Sequence, residues 1–127
     1  MANPFHTYSD DALGTLDTVG VIEAIATGSV SAEEVRDAAR ARVAIAQEPL
    51  NAVATVVDQP EIAPGPFSGV PTFVKDNEDV VGLPTSHGSR TTSRTPKTEP
   101  SAFVTHFQQL GFTILGKSTL PEFGLTA

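Results

Sequence analysis

Cysteine is absent from the 127 residues. That excludes disulfides, thiolate catalysis and cysteine-ligated zinc, and it fits a cytosolic setting. Basic residues are few: eight Lys and Arg against fifteen Asp and Glu leave a formal net charge of -7 and a pI near 4.7. Nucleic-acid binding draws on clustered Lys and Arg, and here they are spread thinly, so no nucleic-acid partner is expected. No apolar run approaches the ~20 residues that span a bilayer. The N-terminal MANPFHTYSDD has no basic region followed by an apolar run, so it does not read as a signal peptide. A soluble, cytoplasmic protein with no membrane partner is the expectation. Internal repeats and low-complexity tracts are also missing.

What is present reads as one small α/β unit. Residues 1–16 are polar, carry Pro4 and Gly14, and read as an N-terminal arm; 17–127 read as the body. From Asp17 to Thr27, Val21, Ile22, Ile25 and Ala26 recur at helical spacing, with Gly28 as the stop. Ser31 and Glu34 form a capping-box pattern that opens a second helix. Its stripe is Val35, Ala38, Ala39, Val43 and Ala46, and Pro49 is the expected end. Small alanine faces allow close approach, so the two helices are expected to pair as an antiparallel hairpin. Asn51–Val57 alternates like a strand, and a proline-rich loop from Gln59 to Ser68 leads to the central strand.

That central stretch, GVPTFVKDNEDVVGLPTSHGSR from Gly69 to Arg90, organises the chain. Val70 to Val74 are mostly β-branched or aromatic and read as a short buried strand. Lys75 closes it, and Gly82, Pro84 and Gly88 then impose a loop. Chemistry in open α/β sheets tends to sit where strand ends meet such loops. Thr91–Thr98 reads as exposed and irregular. Pro100 suits a first helical position, Phe103, Phe107 and Leu110 share a face, and Gly111 ends the helix. Phe112–Gly116 is a further apolar strand, completing a βαβ unit with parallel strands.

Two roles fit Lys75: a stem lying along the sheet with its amine in water, or a general base. A lysine base must be neutral, whereas the free side chain has a pKa of about 10.4. Apolar burial beside Phe73 and Val74 would favour the neutral form, and Asp76 and Asp79 would oppose it. Asp76 and Asn77 could orient Lys75 or hold its loop; ordinary turn chemistry is the alternative, and it is the expectation for Asp79. The Asp76–Asp79 run lacks the ligand alternation and sixth-position glycine of a calcium loop. Ser86, Ser89 and Ser93 have no evident base or oxyanion hole, so surface or loop packing is expected for Ser89. His6, His87 and His106 share no metal-ligand spacing, and His106 reads as solvated. Arg36, Arg40 and Arg42, with Glu33 and Asp37, read as a solvated helix face with weak ion pairs.

From about Asp17 to the last residue the chain resembles the N-terminal part of amidase signature enzymes. The resemblance rests on GVPTFVKDN, on the helix that follows, on GFTILGKSTLPEFGL, and on the earlier GSVSAEE and LNAV segments. It implies a partial amidase-signature fold, in which a helical hairpin precedes strands and a βαβ unit of a mixed sheet. It also implies hydrolysis of carboxylic amides by a Ser–cis-Ser–Lys triad, without cofactor or metal. Lys75 matches the triad lysine, which through the bridging serine activates the nucleophile; Asp76, Asn77 and Ser89 fall in the supporting loops. Both serines belong to a Gly/Ser-rich region that follows the PEFG-type segment, and residues 1–127 contain no GGSSGG-like string. The chain alone is therefore expected to be inactive, with a small-molecule amide as substrate of the full-length enzyme. A homo-oligomer or a complementary C-terminal portion is the expected partner. PEFG resembles the amidase branch more than the tRNA-dependent amidotransferase, which usually carries DEF there. Part of the amide-hydrolysing subunit of a glutamine-dependent amidotransferase and a non-catalytic self-associating module are the alternatives.

Overall fold

The computed structural model describes residues 5–125, so the ends of the arm and tail, residues 1–4 and 126–127, lie outside the described part. Helix α1 (Thr18–Ala26) is capped by Asp17, whose carboxylate accepts from Gly20 N at 2.8 Å. Helix α2 (Ala32–Leu50) begins with the expected capping box: Glu34 N donates to Ser31 Oγ at 3.1 Å and Ser31 N to Glu34 Oε2 at 2.8 Å. Such caps contribute about 1 kcal/mol each. Pro49 does not end α2, as the sequence suggested. It sits in the last turn, and Asn51, in the left-handed region at φ 46°, closes the helix.

Strands β1 (Val53–Val56), β2 (Pro71–Lys75) and β3 (Thr113–Ser118) form one mixed sheet in the order β1-β3-β2. β1 pairs antiparallel with β3, and β2 pairs parallel with it. The centre is therefore β3, and β2, expected to be central, is an edge. The physical reason is burial: Thr113 to Lys117 are all buried, as a strand covered on both faces and flanked by neighbours must be. Helix α3 (Ala102–Gln109) is the crossover between β2 and β3. Its N-cap is Ser101, which accepts from Val104 N at 3.3 Å, so Pro100 precedes the helix and does not open it. Its end is a Schellman motif: Gly111 N donates to Gln108 O, Phe112 N donates to Phe107 O, and the Phe107 and Phe112 rings lie 4.8 Å apart.

Two apolar clusters hold the layers. Val21, Val35 and Val70 join α1, α2 and the entry to β2, with Ile25 and Phe67 against them. Val74, Val80, Val104 and Ile114 lie on the other side, under α3. The expected α3 stripe shifts accordingly: Val104 is the buried residue, while Phe103 is 47% exposed and meets the Phe107 ring in a tilted contact at 4.4 Å. The arm is pinned as well as polar. Ala12 and Leu13 pack on the first cluster, and Arg42 of α2 donates to Asp11 Oδ2 at 2.8 Å and Oδ1 at 2.5 Å, and to Gly14 O at 2.7 Å. This corrects the reading of Arg42 as part of a loosely paired solvated face. Arg36 keeps that character, pairing with its neighbour Asp37 at 2.9 Å.

Candidate active site

Lys75 ends β2 opposite Ser118 of β3. Strand alternation turns it to the same face as Phe73, away from Val74. The residue is exposed, and among the described residues its amine makes no hydrogen bond or ion pair. Residues 5–125 by themselves thus leave the Lys75 amine without apolar cover. Asn77 is exposed too, and its side chain holds nothing among the described residues.

Asp76 behaves differently. Its backbone is held on both sides: N donates to Ser118 O at 3.0 Å, and O accepts from His87 N at 2.9 Å. Its carboxylate, 2% exposed as a residue, accepts from Lys117 Nζ at 2.7 Å, from Ser86 N at 3.3 Å and from Ser86 Oγ. Burial is the largest single influence and opposes ionisation; the hydrogen bonds from Lys117 and Ser86 together outweigh it and hold the carboxyl below its ordinary range. Asp76 therefore pairs with Lys117 and does not orient the Lys75 amine, one of the two roles open to it. It holds the following loop, the other.

Lys117 was not singled out by the sequence. It is fully buried, and besides Asp76 it donates to Pro84 O at 2.7 Å and Thr85 Oγ1 at 2.8 Å, which uses all three ammonium protons. Thr85 in turn donates to Asp79 Oδ1 at 2.7 Å, and Lys97 lies 3.3 Å from the same oxygen. The Thr85 hydrogen bond, reinforced by Lys97 against a smaller burial effect, lowers the Asp79 carboxyl. Asp79 thus ties two loops together, and local turn chemistry does not describe it. The 91–98 tract is irregular as expected but anchored, with Gly82 N donating to Lys97 O and Lys97 N to Leu83 O.

The His87–Ser89 loop and the Pro121–Gly124 turn interlock. Phe123 N donates to His87 O at 2.7 Å, the two rings stack at 6.0 Å, and Ser89 Oγ donates to Glu122 Oε1 at 2.5 Å. His87 and Phe123 both adopt φ 51°, unusual for residues with side chains. Gly88 has φ +69° and lies so close to Leu120 that a Cβ would come within 2.5 Å of its carbonyl oxygen. Ser89 is buried in this packing, and of the surface and loop-packing roles open to it the structure places it in the second; His106 is exposed. A cavity of about 210 Å³ opens over these loops, lined by Asp76, Ser86, Ser89, Arg90, Arg94 and Thr119 among others, though not by Lys75.

The motifs GVPTFVKDN, HGS and PEFG, far apart in sequence, are thus one structural unit at the carboxyl ends of β2 and β3. The Amidase family model matches residues 23–127. The chain belongs to the Amidase family. Similar amidases include the protein named "Putative amidase AmiC" of Mycobacterium leprae, 39% identical over 128 residues, which covers 96% of this chain and 27% of that protein. A glutamyl-tRNA(Gln) amidotransferase polypeptide of Pseudothermotoga lettingae is 34% identical over 71 residues, covering 56% of this chain and 15% of that polypeptide. Among solved structures, 6-aminohexanoate cyclic dimer hydrolase complexed with substrate aligns with a TM-score of 0.76 and 28% identity, over 85% of this chain and 24% of that one. This amidase chain therefore spans about a quarter of the length of the first of these relatives. None of its described helices is long and apolar enough to cross a membrane.

Proposed function

We propose that this chain is the lysine-bearing N-terminal segment of a carboxylic amide hydrolase, with Lys75 as the base of a Ser–cis-Ser–Lys triad. In this reading Lys75 takes a proton from the bridging serine, which takes one from the nucleophilic serine. The nucleophile attacks the amide carbon, the proton held by Lys75 returns through the bridging serine to the departing amine, and water, deprotonated by the same relay, releases the acid from the acyl-enzyme. The observation that carries the reading is the contrast at the end of β2. Asp76, Ser86 and the loop beyond are locked by buried bonds, while the adjacent Lys75 amine is left free and exposed among the described residues.

A lysine works as a base only when neutral, and a dry environment favours that form. The complementary C-terminal portion would supply both the serines and that cover. Residues 1–127 by themselves hold no Gly/Ser-rich region and are expected to hydrolyse nothing. The match to an amidotransferase keeps a second reading open, in which the same chemistry releases ammonia for transfer. PEFG at 121–124 favours the hydrolase. The test is the rate of amide hydrolysis by the full-length polypeptide and its Lys75→Ala form. The proposal expects a loss of at least ~10³-fold in kcat; equal rates remove Lys75 from the mechanism.

A further inference from the structure

The least expected group in the molecule is the Lys117 ammonium. It has no exposed surface, and it is held by one carboxylate, one carbonyl and one hydroxyl. A buried ion pair is poor evidence of stabilisation, because desolvating two charges cancels most of their attraction and well-packed neutral substitutes often do as well. Its better-attested use is to fix one arrangement among several. Here the arrangement is specific. Lys117 in β3 and Asp76, the residue that follows the end of the parallel strand β2, jointly hold Pro84, Thr85 and Ser86, the three residues that bring the loop back over the strand ends. Through the Asp76 backbone, bonded to Ser118 and His87, the same clamp fixes the peptide that follows Lys75.

How Lys117 reaches this place depends on a bulge. The β2–β3 register passes from Thr72↔Ile114 to Phe73↔Gly116, leaving Leu115 as an extra residue in β3. The bulge flips the phase of the strand. Ile114 and Lys117, three apart, both fall on the Val74 side, where Lys117 meets Asp76.

We propose that the Asp76–Lys117 pair is the positioning element of the lysine site: it holds the 84–87 loop and the backbone beside Lys75 so that Lys75 meets its serine partner in register. Lys117 then acts through Lys75 and never touches substrate. This inference rests on Lys75 being the base.

The experiment uses the full-length polypeptide and four variants: Lys75→Ala, Lys117→Met, Asp76→Asn/Lys117→Met and Ser86→Ala. Lys117→Met alone strands a buried carboxylate and lowers the melting temperature. The double variant is neutral, and it is expected to melt within about 4 °C of the parent. In the double variant kcat falls roughly 10- to 100-fold while KM changes less than about threefold. A purely structural pair would instead return kcat together with melting temperature, and that result overturns the inference. Ser86→Ala keeps the ion pair and cuts one strap, giving a smaller loss confined to kcat. Should the charge variants be insoluble, unchanged kcat in Ser86→Ala overturns the inference on its own. Full activity in Lys75→Ala defeats the base reading and the inference with it. Loss in Lys75→Ala with parental kcat in the soluble double variant defeats the inference alone.

Discussion

At the scale of single residues, charge burial separates three lysine and arginine roles that composition cannot. Lys75 is exposed and unpaired among the described residues, Lys117 is buried and triply bonded, and Arg42 clamps the arm. The Arg42 case gives a pH prediction. Hydrogen bonds from Arg42, against a smaller burial effect and with help from Ser9, hold the Asp11 carboxyl well below its ordinary 3.8. A carboxyl depressed in the folded state binds fewer protons than in the unfolded chain. Its contribution is full above the unfolded value near 3.8 and is lost as the pH falls from there toward the folded value. Arg42→Ala is expected to cost about 1–2 kcal/mol near neutral pH and to flatten the acid side of the stability profile below about pH 4. Denaturant unfolding of the two forms across that range is the check, and parallel profiles would mean the pair contributes nothing. Lys75 stood out as a candidate because it closes an apolar run and lies in a family motif. Lys117 was not, because GFTILGKS looks like a strand followed by a polar tail; only the combination of a strand covered on both faces and the nearby Asp76 marks it.

At the scale of elements, the helices were read closely because their signals are local. Ser31 with Glu34, Asp17, Gly28 and Gly111 stand where caps and stops form. The helix misreadings concern the two prolines, Pro49 inside the last turn of α2 and Pro100 ahead of α3, and the buried face of α3; the larger errors fall where position in the sheet decides. The order β1-β3-β2 and the bulge at Leu115 are tertiary facts, set by which strand gains cover on both sides. Gly116 shows how tight that centre is. A Cβ there would lie 2.4 Å from Thr55 O in β1 and 3.2 Å from the Phe73 ring. Backbone cannot give way as a flexible side chain can, so Gly116→Ala is expected to cost about 1–3 kcal/mol and to loosen β1 first. Hydrogen exchange should show the Val57 amide, which donates to Leu115 O at 2.9 Å, losing protection before those of β2. Unchanged stability would mean that β1 is less firmly seated than its register implies.

At the scale of the molecule, the sheet formed by the described residues has two open edges, β1 and β2. A cleft of about 540 Å³ lies between α2 and β1, lined by Val43, Ala44, Val53 and Leu115 among others. Ile45 and Val56 are more than half exposed nearby, at 60% and 56%. Open edges and exposed apolar residues invite association. Residues 1–127 in isolation are therefore expected to sediment as oligomers or aggregates, and a stable monomer would contradict this. On the proposed function, the same surfaces would receive the complementary C-terminal portion. The most direct measurement is ammonia release from amide substrates by residues 1–127, by the complementary C-terminal portion, and by the two combined. The account predicts turnover only in the mixture, abolished by Lys75→Ala. Turnover by residues 1–127 alone, or reconstituted activity that survives Lys75→Ala, would contradict it.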